Sequence, residues 1–116
     1  MISIKSDQEI ELMRRANQIV RDTLNLLEEK IRVGMTTKEL NKIAHDYIVS
    51  QDAIPSFLGY EGYPASVCIS INEEVVHGIP SDRVIQDGDL VSVDCGSIYK
   101  GHNERPNIFI VKTIIA

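Results

Sequence analysis

The sequence predicts an α+β domain in which two amphipathic helices pack on an antiparallel sheet. Three observations carry the prediction. Residues 6 to 51 contain two stretches whose apolar side chains recur at three- and four-residue steps, each opened by a helix-start signal. Residues 53 to 65 are rich in Pro, Gly and aromatics, a composition that makes turns. From residue 66 onward, short alternating or wholly apolar runs alternate with turn signals, as strands do. At 116 residues, with 43% hydrophobic and 25% charged content, the chain is one domain or part of one, large enough for a modest core.

The first helix opens on Ser6-Asp7-Gln8-Glu9, the spacing of a capping box, in which each end satisfies an orphan backbone amide of the other. Ile10, Met13, Asn17, Val20, Leu24, Leu27 and Ile31 then form one face, polar only at Asn17, widened by Leu12, Ala16, Ile19 and Leu26. This helix is expected to run to about Lys30, with Gly34 as its C′ residue. Thr36 to Glu39 repeats the cap pattern, and Leu40, Ile43, Ala44, Tyr47 and Ile48 place a second helix over about 37–51. His45 lies beside that stripe and reads as a surface or packing residue.

Ser66 to Ile71 alternates, with Val67, Ile69 and Ile71 on one face and Ser66, Cys68 and Ser70 on the other, which predicts a strand. Val75-Val76-His77 is expected as a short strand ending on the rigid Gly78-Ile79-Pro80 turn. Residues 81 to 89 read as a polar connection with Asp87-Gly88 as its tight turn. Leu90 to Tyr99 forms the central strand, followed by a hairpin turn at Lys100-Gly101. Ile108 to Val111 is expected as a fourth strand, and its nearly continuous apolar character suits burial on both faces.

A net charge of −5 argues against nucleic acid or an anionic membrane as a partner held by bulk electrostatics. No run approaches the roughly 18 apolar residues of a membrane span. The N-terminus has no apolar core of a secretory signal, and Cys68 and Cys95 form no CxxC pair. Reduced thiols and a cytoplasmic location are therefore expected.

Two residues point to chemistry. Asp94 stands among Leu90, Val91, Val93 and Cys95 in the central strand, where a carboxylate must be solvated, hydrogen-bonded or bound to a cation. A hard or borderline divalent ion is one good solution, since carboxylate oxygen suits it. His77 sits where a strand meets a rigid turn, a place that fixes side-chain direction; its bland reading is a turn histidine bonded to a carbonyl.

VVHGIP at 75–80 and DGDLVSVDCG at 87–96 resemble two signatures of the type I methionine aminopeptidases, metallopeptidases of the pita-bread fold. SDQEIELMRRA at 6–16, TTKEL at 36–40 and LGYEGYPASVCISIN at 58–72 agree with the same family. The resemblance covers nearly the whole chain up to about Gly101. It implies that residues 1–116 are the N-terminal part of such a catalytic domain, half of a pita-bread fold. It implies removal of the initiator methionine from a nascent chain, with a peptide N-terminus as partner. It implies a pair of divalent ions, Co, Mn, Fe or Zn, as cofactor. On this resemblance Phe57, Tyr60, Tyr63 and Cys68 line the pocket for the methionine side chain, an environment that suits a thioether. His77 then contacts substrate and steadies the tetrahedral intermediate, and Asp94 matches the first metal aspartate.

The match departs at the second metal aspartate, because GHNERPNIF places Arg105 where aspartate is expected. If one residue is lost from the turn, Glu104 takes that place, with Arg105 and Pro106 as poor neighbours for a cation and a paired strand. After Val111 the sequence contains no His, Asp or Glu that could supply the family's remaining ligands. A lone Asp94 is expected to hold metal weakly, and the 116-residue chain by itself to lack useful peptidase activity. A single half should also leave apolar sheet surface uncovered, which favours a homodimer or a complementary half. Two other readings stand beside the enzyme. One is a non-catalytic half that binds a peptide N-terminus or a protein partner through residues 57–77. The other is an α+β domain in which Asp94 is a structural acceptor.

Overall fold

The computed structural model describes residues 7–72, 78–99 and 107–116. Its elements are helix α1 (Asp7–Lys30), helix α2 (Thr37–Ser50), and strands β1 (Ala53–Pro55), β2 (Val67–Ile71), β3 (Leu90–Tyr99) and β4 (Asn107–Ile115). A single 3₁₀ turn covers Tyr60–Gly62. Ser6 of the expected capping box, the expected strand at Val75–His77 and turn at Lys100-Gly101, and Glu104, Arg105 and Pro106 lie outside the described residues.

All strand pairs are antiparallel, and β3 is the hub of the sheet. β4 follows one edge of β3 from Leu90 to Ile98. β2 and then β1 follow the other, pairing with Val91–Cys95 and Ser97–Tyr99. The helices cover one face. There Val91, Val93, Cys95 and Ser97 of β3 are fully buried with Val67, Ile69 and Ile71 of β2, against Ile19, Val20, Leu24, Leu27, Leu40 and Ile48. Ser97 Oγ donates to the Ala16 carbonyl at 3.0 Å, which ties α1 to the end of β3. The helix-and-sheet architecture read from the sequence is therefore the one observed.

Local chemistry sets the boundaries. Thr36 makes a reciprocal capping box: its hydroxyl accepts from Glu39 N at 3.2 Å, and Glu39 Oε2 accepts from Thr36 N at 3.3 Å. Gly34 does take a positive φ of +98°, but it lies beyond the end of α1, and its N–H donates to Ile85 O at 2.8 Å. It is thus the turn residue between the helices and not a C′ cap. Ile85 explains the shift. It is fully buried, and its own N–H donates to Met35 O at 2.7 Å, pinning the 81–89 connection to the interhelix turn.

Three expectations are corrected. Ile10 is 41% exposed, and burial of the α1 stripe starts at Ala16, level with the C-terminal end of β3. The turn-rich segment after Ala53 opens with a short strand, β1, whose Pro55 is tolerated because it occupies a short edge strand. β4 is not buried on both faces. Phe109, Val111 and Ile115 are 49%, 62% and 74% exposed, because α1 covers one face and no described element covers the other. No described helix is long and apolar enough to cross a membrane.

Candidate functional site

Strand alternation sends Ser92, Asp94 and Gly96 of β3 to the face away from the helices. Residues opposed across an antiparallel pair point the same way. Cys68 of β2, the partner of Asp94, therefore shares that face, as do Val111 and Phe109 of β4. Asp94 is half-buried and its Oδ1 is shielded from solvent.

A cavity of about 530 Å³ opens beside Cys68, lined by Phe57, Tyr60, Tyr63, Pro64, Cys68 and Ile79. The four pocket residues singled out in the sequence thus come together, although they are spread over twelve positions of chain. Phe57 and Tyr63 form the walls, with ring centroids 5.8 Å apart, and Phe57 meets the edge of Phe109 from β4 at 5.2 Å. Cys68, 7% exposed, lies deep in the cavity, whereas Tyr60, 67% exposed, stands at its rim. Positive φ at Gly59 and Gly62 (+80° and +81°) allows the sharp bend that presents Tyr60 and Tyr63.

The pocket and the carboxylate feel one another. Burial pushes the Tyr63 phenol upward, reinforced by its contact with the Cys68 thiol and by the charge of Asp94. Burial also raises the Cys68 thiol, against a lowering bond from Tyr63, and Asp94 raises it further. Cys95, behind the sheet, is pushed up to about 12 by burial and then by Asp94. Both thiols are therefore neutral packing groups at ordinary pH and poor metal ligands.

The Tyr63 hydroxyl donates to Val67 O at 2.9 Å, which fixes its ring against β2. Gly78, the residue after His77, is buried, and its carbonyl accepts from Ile69 N at 2.8 Å. His77 and Glu104 themselves lie outside the described residues. Among the described residues no three His, Cys, Asp or Glu side chains gather into a metal-binding cluster. Asp94 fits a divalent ion in kind, as an oxygen donor on a partly dry sheet face, but among the described residues it is one ligand and not a set.

Sequence reasoning missed Ile79, which lines the cavity, and Phe109, which does not line it but packs on the Phe57 wall. Ile79 reads in the sequence as part of the Gly78-Ile79-Pro80 turn, and its exposure beside the cavity is visible only in the structure. Phe109 reads as an ordinary strand residue; its contact with Phe57 depends on the β3–β4 register, which no local pattern reveals.

Residues 11–104 match metallopeptidase family M24. The chain is 57% identical over 103 residues to a methionine aminopeptidase of Clostridium acetobutylicum, covering 88% of this chain and 41% of that protein. It is 49% identical over 115 residues to the methionine aminopeptidase of Clostridium perfringens, covering 98% and 46%. Its fold superposes on the crystal structure of methionine aminopeptidase from Rickettsia prowazekii with a TM-score of 0.88 at 34% identity, covering 99% of this chain and 45% of that one. The chain thus spans less than half the length of the relatives it matches. With two helices on an antiparallel sheet, an aromatic cavity against β2 and a carboxylate on the facing strand, it belongs to metallopeptidase family M24 and carries part of the methionine aminopeptidase pita-bread fold.

Proposed function

We propose that residues 1–116 are the N-terminal part of a methionine aminopeptidase catalytic domain, supplying the side-chain pocket and one metal carboxylate of the site that removes an initiator methionine. The observation that carries this is the adjacency of the Phe57–Tyr63–Cys68 cavity to Asp94, its partner across β2 and β3, on the uncovered face of the sheet. A peptide N-terminus enters that cavity side chain first. Phe57 and Tyr63 bound it laterally, Cys68 lies deepest, and Tyr60 and Ile79 border the opening. Sulfur–aromatic contact favours a thioether there by about 0.3–1.5 kcal/mol.

Asp94 would hold a divalent ion, with Glu104 as the candidate second carboxylate and His77 as the group that contacts the substrate carbonyl. Bound metal supplies Lewis-acid polarisation and a hydroxide nucleophile at neutral pH. The chain's own residues bind and orient: the cavity fixes the side chain, and the carboxylate defines the side on which the scissile bond must lie. The 116-residue chain by itself is expected to release no methionine, because a dinuclear centre needs bridging carboxylates from several elements.

Two measurements test this. Calorimetry with Mn²⁺ or Co²⁺ should show at most weak binding, lost in Asp94→Ala; two tightly held ions, with methionine released from Met-Ala peptide, would sink the claim of an incomplete centre. Titration with L-methioninamide should perturb NMR signals of Tyr63 and Cys68, and no perturbation would remove the pocket assignment. A second reading, a non-catalytic module that binds a peptide N-terminus, needs only the cavity, whose described lining lies within this chain. It predicts methioninamide binding that is the same in Asp94→Ala.

A further inference from the structure

We propose that Asn41 and His45 of α2 are positioning residues for the aromatic cavity: Asn41 holds the Ser66 and Val67 amides and His45 the Ser66 hydroxyl, and together they clamp the segment from which the Tyr63 hydroxyl is held. The two side chains lie one helical turn apart and so face the same way. Asn41 Oδ1 accepts from both Ser66 N (2.8 Å) and Val67 N (3.2 Å). His45 Nδ1 lies 2.8 Å from Ser66 Oγ, whose residue is 1% exposed. The carbonyl of the same Val67 accepts from the Tyr63 hydroxyl at 2.9 Å.

The geometry is that of a strand edge closed by side chains. Val67 and Ile69 both direct their N–H groups away from β3: Val67 to Asn41, and Ile69 to Gly78 O. An outer strand edge left open would cost its buried amides their partners. At Val67 Asn41 closes the edge, where no described strand pairs. In the same place the Val67 carbonyl holds Tyr63, so the position of one cavity wall is set through a single residue by a helix on the other layer. Val67 also precedes Cys68, the most buried lining residue, so a shift of Val67 moves both the Tyr63 wall and Cys68. Neither Asn41 nor His45 lines the cavity, and both act through residues 66 and 67.

The ligand arm of the test rests on the pocket reading above; the spectroscopic arm does not. The chain is labelled with 3-fluorotyrosine, and the Tyr63 fluorine signal is assigned by its loss in Tyr63→Phe. Asn41→Ala and His45→Ala should shift or broaden that signal, and Asn41→Asp, which keeps an acceptor oxygen, should restore it. Asn41→Ala should weaken L-methioninamide binding about fivefold, the order of one ordinary hydrogen bond. Ser97→Ala is the control for stability alone, because it removes a buried hydrogen bond to Ala16 O on the opposite face. It should lower the urea midpoint while leaving the Tyr63 signal and the binding unchanged. A Tyr63 signal indifferent to Asn41→Ala, or moved equally by Ser97→Ala, overturns the proposal. If Asn41→Ala does not fold, His45→Ala carries the same comparison. If unmodified chain binds no L-methioninamide, the pocket reading fails and the fluorine signals alone decide the clamp.

Discussion

The two faces of the sheet are built from alternate residues of the same strands and have little else in common. On the helix face Val91, Val93, Cys95 and Ser97 are fully buried beneath α1 and α2. On the other, Leu90, Phe109, Val111 and Ile115 are 46%, 49%, 62% and 74% exposed, and Ser92, Asp94 and the aromatic cavity lie among them. The first face supplies the stability of the domain through apolar area removed from water. The second is free of that packing demand, so it can keep a carboxylate, small residues and an open cavity. Scattered surface leucines are ordinary, but four large apolar side chains on two neighbouring strands make a contiguous patch.

The largest effect should separate the faces outright. Leu27 is fully buried against the sheet, and Leu27→Ala should cost about 2–5 kcal/mol in urea unfolding, from lost transfer energy and the cavity left behind. Val111→Ala, on the open face, should stay within about 0.5 kcal/mol. Equal losses would mean that the second face is packed in solution and that the contrast drawn above is false.

Glycines sharpen the comparison next. A Cβ on Gly78 would run into the carbonyl of Ile69, a backbone atom that cannot rotate away. Gly78→Ala should therefore force β2 and the 78–80 turn apart, costing about 1–3 kcal/mol or more. At Gly96 a Cβ would meet Phe109 Cδ1 at 2.5 Å and Cε1 at 2.7 Å, the far end of a half-exposed ring. Gly96→Ala should lose less stability, because the ring can swing out, but it should break the 5.2 Å edge contact with Phe57 and lower methioninamide affinity.

Alkaline pH probes the thiols on the two faces. Burial raises Cys95 from the ordinary 9.0 to about 12, so the folded thiol keeps a proton that the unfolded chain has lost. Stability from this source is complete below pH 9 and is lost as pH rises toward 12, by about 1.4 kcal/mol at pH 10. Tyr63 and Cys68, also raised, add loss of the same sign. Cys95→Ala should flatten urea midpoints measured between pH 8 and 10. Iodoacetamide should label Cys68 before Cys95 in the folded chain; the reverse order would misplace the two faces.

The sequence revealed the helix face more fully than the open one, and the reason is physical. Apolar periodicity records burial, so Val20, Leu24, Leu27, Leu40 and Ile48 announce themselves, and Thr36 with Glu39 announces where α2 begins. β4 misled because an apolar run reports what a strand can bury, not whether a neighbour is present to bury it. Ile85 was missed because a single anchoring residue in a polar connection has no period. Phe57, Tyr60, Tyr63 and Cys68 were gathered through resemblance to a known family and not through pattern. Asn41 was invisible because its partners lie 25 and 26 residues away, a pairing only the fold creates.

The smallest expected effect contrasts two serines of one strand. Ser97 is fully buried and donates to Ala16 O; since that carbonyl lies mid-helix, Ser97→Ala leaves it with its helical partner and removes one hydrogen bond, about 1 kcal/mol. Ser92 faces the other way, with its Oγ 3.2 Å from Thr113 Oγ1 in a solvent-exposed cross-strand pair. Water replaces that bond when it is lost, so Ser92→Ala should cost about 0.3 kcal/mol. Urea midpoints of the two variants, read against the parent chain, test whether polarity on this strand matters by residue type or by face. If Ser92→Ala costs as much as Ser97→Ala, the exposed face is held as tightly as the buried one, and the latitude that lets it carry a carboxylate and an open cavity is not there.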